Sequence, residues 1–457
     1  MIGWNVLREI PPYSLLPTAL GGRIESEVRT FESRRDWLAP AITCFLCLLP
    51  PILFWKHFRL LYWFHDDWEL ISQMESTGIL RWMVQPFAEN FNPLFKALWA
   101  AAVIMLHGSY AGMIRLLWGT HVSILLLLAA LLRQTGFSWM SQSLAILTLG
   151  ISWSNIETLG WATQWSSLLA TLFFLLAWVI LLSSSSGSGP KRLAVTAAMA
   201  LASALSFSRG VLSGAVLTFF TLRWPHDNGD ANRWHRWAAA CLASVTISSF
   251  VPYRWVLREY PSFQGLSGEK LAAMASYSAH YMLLSPLFHL LPIPHKTPDG
   301  LAELSIAGSS KAVIIATGLL LAKDRQRTLL WTLLLLDLGT SGLLGFGRYN
   351  LGIDTAVSYR YQYNSLLCFA PFLGIVAEAC LHFLRRSFVR EAGFAVIFVG
   401  WALLLGYPWA RHSGRWAQWR GIDVRNALAA TPADQRFGLP SITDGRAREL
   451  VALYNLH

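Results

Sequence analysis

Asp66, Asp67 and Glu69 put three carboxylates into four residues, just beyond a first long apolar segment at about 37–55. An ionised acid at the edge of hydrocarbon must be paired, hydrated or used, so such acids are functional candidates by default. The plain alternative for either aspartate is the N-cap of a short interfacial helix, a position that Asp favours. Further along, Glu89, Asn92 and Lys96 lie before and on a short apolar stretch. Glu157, Trp161 and Gln164 follow at i, i+4, i+7, a spacing that puts them on one side of a helix. A polar stripe facing other helices would have the same spacing. Arg209, Arg348 and Arg360 complete the set, the last two set among Tyr349, Tyr359, Tyr361 and Tyr363. A guanidinium at a helix N-terminus makes an anion site, and an Arg snorkelling to lipid headgroups is its structural counterpart. Acids facing arginines across a cleft suit one chemistry. The carboxylate accepts a proton from a hydroxyl that attacks a carbon bonded to phosphate, and an arginine stabilises the charge that develops on the leaving group.

The elements that must position these groups are membrane helices. The 457 residues are 54% hydrophobic and only 14% charged, with a mean hydropathy of +0.41, which excludes an ordinary soluble globular protein. Apolar runs of helix length recur along most of the chain, predicting an all-α, polytopic membrane helix bundle of about 11 spans. The 22 Trp residues, several at the ends of apolar runs, fit an interfacial belt. The net charge of +11 lies in loops between spans, where it reports topology and anionic lipid and not nucleic acid.

Arg23, Arg29, Arg34 and Arg35 place a cytoplasmic N-terminal segment at 1–36, without a cleavable signal. The transmembrane domain is expected at 37–406, with external regions at 56–109 and 254–309, and a short external tail at 407–457. Pro40, Pro50 and Pro51 predict a first span that kinks or breaks early. Asn92-Pro93 is a good helix start, and the helix it opens, Leu94 to Leu106, is too short to span and is expected to be interfacial or re-entrant. The helix at 271–291 is expected not to span. The eighth span is expected at Ala312–Ala322 and the eleventh at Ala392–Leu405, which leaves most inside loops basic. Cys44 and Cys47 have CxxC spacing inside an apolar helix with no second pair, and read as core thiols.

From its basic N-terminus to about Asn364 the chain resembles the GT-C superfamily of membrane glycosyltransferases, of the protein O-mannosyltransferase and aminoarabinose transferase type. The resemblance rests on Asp66-Asp67-Trp68 after the first span, Glu89-Asn90-Phe91-Asn92-Pro93-Leu94, Asn155-Ile156-Glu157 with Trp161 and Gln164, and Arg360-Tyr361. It implies a many-span bundle with interfacial helices in the first loop, and a sugar donor on dolichyl or undecaprenyl phosphate. It also implies a catalytic acid or base just after the first span, which points to Asp66 first, with Asp67 close behind. Glu69, Glu89, Asn92, Lys96, Glu157, Trp161, Gln164 and Arg209 would then bind substrate. Arg348, Tyr359, Arg360 and Tyr361 would face the lipid phosphate. Asn90 stands where members of the family often carry His. The segment after Tyr407 is smaller than the soluble domains of oligosaccharyltransferases, which points away from a peptide-sequon enzyme.

The expected reaction is an inverting sugar transfer to a hydroxyl of a lipid, glycan or protein acceptor. The expected setting is the periplasmic face of a bacterial inner membrane. Mg²⁺ or Mn²⁺ at the acids is possible in principle, without a dense oxygen-ligand motif to hold it. A transporter or lipid flippase is the competing class. Charges at the outer interface and the lack of an internal repeat count against it.

Overall fold

The computed structural model describes residues 37–183, 189–224, 231–259, 265, 267–290, 300–384, 387–430 and 444–457. The basic segment 1–36 and the pair Arg385-Arg386 lie outside the described residues. Among the described residues the chain is built from helices, with a single isolated bridge between Phe87 and Asn90 and no strand. Among the described residues six helical stretches are long and apolar enough to cross a membrane: Tyr110–Gln134, Ala162–Leu182, Ala302–Leu321, Asp324–Leu351, Tyr359–His382 and Phe388–Ala429. Shorter apolar helices stand at Trp37–Leu53, Pro93–Met105 and Trp139–Ile151. The protein is therefore a polytopic helical membrane protein, as the apolar runs predict; among the described residues six helices meet the length and apolarity for crossing, against about eleven expected spans.

Backbone polar groups in hydrocarbon must be satisfied within the segment, so these sequences have no stable alternative to the helix. The first apolar stretch is interrupted by a turn at residues 47–48 and restarts as Leu49–Leu53, with proline in its first turn. Proline is tolerated there because its missing N–H has no intrahelical partner anyway. The Tyr359–His382 helix is central, packing against Trp139–Ile151, Leu301–Leu321 and Asp324–Arg348. By contrast, the apolar window of the Phe388–Ala429 run is only 11% buried, which leaves a face suited to lipid.

Two boundaries differ from the expected ones. The eighth span starts at Leu301 and not at Ala312. Lys311 interrupts the apolar run in sequence, but in the fold its Nζ lies 3.1 Å from Asp337 and bonds the Met282 and Ser285 carbonyls at 2.7 and 2.6 Å. A paired and fully hydrogen-bonded cation does not end a helix. Likewise the Ser387–Ala417 helix continues through Tyr407, where the external tail was expected to begin. Trp409 donates to the Ile151 carbonyl at 2.8 Å and Ser413 bonds His57 at 2.8 Å, so the bundle holds this segment past Pro408.

Candidate active site

The Asp66–Thr77 helix opens on His65, a non-glycine residue at φ 43°. That backbone region disfavours side chains with a Cβ, and such strain tends to collect at functional sites. Asp66 and Asp67 fall in the first helical turn, where the dipole favours anions. Neither is the N-cap, and the two have different environments.

Asp67 is fully buried. Its Oδ2 accepts from the Phe64 amide at 3.0 Å, and its Oδ1 accepts from the Thr163 amide at 2.9 Å and from the Thr163 hydroxyl. Burial pushes its carboxyl up to about 7, against the pull of these donors. Asp67 thus ties the first-loop helix to the 162–164 turn. Asp66 instead lines a cavity, and among the described residues no hydrogen bond or ion pair engages its carboxylate. Burial raises its carboxyl above the ordinary value, against the opposing pull of Arg360, His65, Arg348 and Arg420 in that order.

The cavity offers about 210 Å³ of space to water-sized molecules. It gathers Asp66, Glu89, Asn92, Gln164, Arg209, Arg348, Arg360 and Tyr361 from segments almost 300 residues apart. The lining is also apolar in part, with Phe250, Val256, Leu257, Leu343 and Leu344 contributing. Arg348 pairs with Glu89 at 2.8 Å. Arg360 makes no ion pair among the described residues; its Nε is buried without a partner, and its guanidinium lies 5.1 Å from the Tyr361 ring. The buried Tyr361 hydroxyl and Asn92 Oδ1 are also unpartnered. Asn92 precedes the Pro93–Met105 helix but makes no side-chain cap, so its amide oxygen stays available to the cavity. A buried polar atom without a partner is costly, and these three converge where a ligand could satisfy them.

The remaining expected site residues stand elsewhere. Lys96 is fully buried and clamps the Trp82 and Gln85 carbonyls at 3.0 and 2.8 Å. Glu69 accepts from Gln73 at 3.0 Å within its own helix. Tyr359 stacks on His289, with ring centroids 4.3 Å apart. Glu157, Trp161 and Gln164 do not share one helix side, because the helix ends at Gly160 and a 3-10 turn takes over at Ala162–Gln164. Asp67 holding Thr163 and the Trp161 indole donating to the Phe64 carbonyl at 3.2 Å fix that break. Only Gln164 of the three reaches the cavity.

Glu157 instead accepts from the Arg360 amide at 3.0 Å, satisfying a free N–H in the first turn of the Tyr359–His382 helix. It also faces Arg420 at 3.7 Å. Arg420 is absent from the sequence-based site. It is buried, with its guanidinium 3.8 Å from the Phe64 ring centroid and 4.7–4.8 Å from Trp161, Trp416 and Trp419. Its carbonyl accepts from the Tyr62 amide at 3.2 Å. The cluster Trp416-Ala417-Gln418-Trp419-Arg420 was the available signal, since a cation among tryptophans is a recognised pairing.

A metal site fits these residues poorly. Among the described residues no group of three or more His, Cys, Asp or Glu stands together. Of the two carboxylates lining the cavity, Glu89 is engaged by Arg348, and arginines dominate the surroundings.

Fold and cavity together define a polytopic helical membrane protein with a polar cavity between its helices. The chain is similar in structure to the archaeal oligosaccharyltransferase AglB from Archaeoglobus fulgidus, in a complex with an inhibitory peptide and a dolichol-phosphate. The TM-score is 0.51 at 15% identity, covering 93% of this chain and 60% of that one. A second Archaeoglobus fulgidus oligosaccharyltransferase structure, tethered with an acceptor peptide containing the NVT sequon, aligns at a TM-score of 0.48 and 14% identity, covering 92% of this chain and 59% of that one. The likeness is one of fold, and the chain spans about 60% of the length of the protein it matches. No protein-family model and no curated protein matches the sequence.

Proposed function

We propose that the protein is a polyprenyl-phosphate-dependent glycosyltransferase with Asp66 as its general base. The observation that carries this reading is an unpaired, partly buried carboxylate sharing one cavity with the unpaired guanidinium of Arg360. The acceptor hydroxyl oxygen attacks the anomeric carbon from the face opposite the phosphate, and its proton passes to the Asp66 carboxylate. The bond from the anomeric carbon to the phosphate oxygen breaks, and its electron pair leaves with the lipid phosphate. Arg360 stabilises that charge, and Arg348 adds to the field. One displacement inverts the anomeric centre.

The raised carboxyl of Asp66 makes it the stronger base once ionised. The apolar part of the lining suits the first isoprene units of an amphiphilic donor. The fold shared with a protein captured with dolichol-phosphate supports a lipid-linked donor. We place the site on the periplasmic side of a bacterial inner membrane, with the N-terminus cytoplasmic, because that orientation keeps the basic loops inside. The acceptor class is a lipid, glycan or protein hydroxyl.

The test is transfer from radiolabelled polyprenyl-phosphate sugars in membranes, comparing wild type with Asp66→Asn and Arg360→Ala at matched expression. Label moved by the wild type and held back by Asp66→Asn supports the assignment. If no donor is consumed and the Asp66→Asn variant still complements a deletion strain, the reading fails and a transporter or flippase takes its place.

A further inference from the structure

Neither Glu157 nor Arg420 lines the cavity, yet both stand behind groups that do. Glu157 belongs to the short Ile156–Gly160 helix, and its Oε2 accepts from the Arg360 amide at 3.0 Å. Its Oε1 faces Arg420 Nη2 at 3.7 Å. The helix that receives the first of these contacts, Tyr359–His382, starts after Ser358, a residue type favoured as an N-cap. Among the described residues the Ser358 side chain makes no capping bond. A carboxylate 203 positions earlier in the chain does that work, and its charge suits the positive end of the helix dipole.

The Arg360 side chain has little else to place it. Among the described residues it makes no ion pair, its buried Nε has no partner, and its guanidinium lies 5.1 Å from the Tyr361 ring. A side chain without partners is only as well placed as its backbone, and Glu157 holds that backbone. Arg420 links Glu157 to the segment that leads into Asp66. Its carbonyl accepts from the Tyr62 amide at 3.2 Å, and its guanidinium lies 3.8 Å from the Phe64 ring centroid. Arg420 does this from a π-helical turn, Gln418–Asp423, a rare geometry that is frequent at functional sites. Asp66 and Arg360 share no hydrogen bond or ion pair among the described residues. The contacts from Tyr62 through Arg420 and Glu157 to the Arg360 amide therefore join the two elements that carry them.

From this geometry we infer that Glu157 is a positioning residue of the transfer reaction. Through the Arg360 amide it fixes the guanidinium relative to Asp66, and Arg420 supplies the charge that keeps its carboxylate in place. This role rests on the glycosyltransferase reading above and adds to it a residue that acts without touching substrate. Positioning of this kind matters to rate, since a displacement of about 1 Å can cost on the order of 10²-fold.

Removing Glu157 alone would leave Arg420 buried without its counter-charge and endanger the fold. Two double variants avoid this: Glu157→Gln with Arg420→Met, and Glu157→Met with Arg420→Met. Both lack the ion pair, and only the first keeps an amide oxygen for the Arg360 N–H. The full chains are compared in lipid nanodiscs, with rates expressed per folded protein from melting curves on the same preparations. Turnover uses whichever polyprenyl-phosphate sugar wild type consumes in the membrane assay. Binding uses undecaprenyl phosphate, the leaving lipid itself, and is read by tryptophan fluorescence. The Gln variant is expected to exceed the Met variant by roughly tenfold or more in kcat, with little change in KM. In an Arg360→Ala background the two should converge to within about twofold, which a merely structural role for Glu157 does not produce. Equal rates for the two double variants, or a gap that persists without the Arg360 side chain, overturns the inference and leaves the transferase standing. If wild type consumes no donor, the transferase reading falls and binding decides. Weaker undecaprenyl phosphate binding by the Met variant, levelled by Arg360→Ala, then supports the anchoring of Arg360, and equal binding across the set overturns it.

Discussion

Exchanging each aspartate for asparagine separates chemistry from architecture at two adjacent positions. Asn at 66 keeps the shape of a side chain that no protein donor holds, so the fold should tolerate it. What it removes is a general base, and positioned proton transfer contributes about 10²–10⁴-fold to rate, or roughly 3–5 kcal/mol of transition-state energy at 1.36 kcal/mol per decade. Asn at 67 meets three donors: the Phe64 amide, the Thr163 amide and the Thr163 hydroxyl. Its oxygen can serve one side of the former carboxylate, but its NH₂ then faces an N–H or O–H on the other. At least one charge-assisted bond is lost, worth about 1.5–3 kcal/mol, and a buried amide is left without an acceptor. Asp66→Asn should therefore lose transfer by at least a hundredfold with an unchanged thermal midpoint in detergent. Asp67→Asn should lower the midpoint clearly, with activity falling through loss of folded protein. The assay pairs initial rates of label transfer with a melting curve on the same preparations. The reverse pattern, a stable but inactive Asp67→Asn beside an active Asp66→Asn, would refute the assignment and make Asp67 the base.

Arg360 favours the ionised form of Asp66, while burial opposes it. Activity needs the ionised base and is lost as pH falls through its raised pKa, so Arg360→Ala should move the acidic limb of kcat/KM to higher pH; a limb that stays put or moves lower contradicts the proposed field. Removing one partner of the buried Lys311–Asp337 pair, as in Asp337→Asn, should cost about 3–5 kcal/mol in stability, whereas Lys311→Met with Asp337→Leu should recover much of it in chemical denaturation; equal damage from the single and double variants would show that the pair is not the stabilising unit. A Cβ at Gly421 would meet the Leu60 carbonyl oxygen at 1.9 Å, so Gly421→Ala should destabilise by about 1–3 kcal/mol and slow transfer by displacing the 60–64 segment that leads into Asp66; an unaltered melt and rate would rule out that coupling.

The class of architecture and the chemical inventory are legible in the amino-acid order alone. Apolar runs of helix length leave a chain no alternative to a polytopic helical bundle, because hydrocarbon supplies no hydrogen-bond partners to the backbone. Asp66, Glu89, Asn92, Gln164, Arg209, Arg348, Arg360 and Tyr361 were legible as polar groups in an apolar chain, and the fold gathers all eight around one cavity. Tertiary structure alone decided how each is used. Adjacent aspartates look alike in sequence, yet a helix turn aims one at Thr163 and the other at the cavity. Lys96 looks like a site cation until the carbonyls of Trp82 and Gln85 are seen to hold it. Lys311 ended an apolar run and hid the start of a helix, because its counter-charge, Asp337, lies 26 positions away. Arg420 escaped notice because its role depends on Glu157 and Phe64, hundreds of residues earlier. Local pattern reports what a segment must bury; which partner neutralises a buried charge depends on contacts between distant segments, and only the folded bundle creates them.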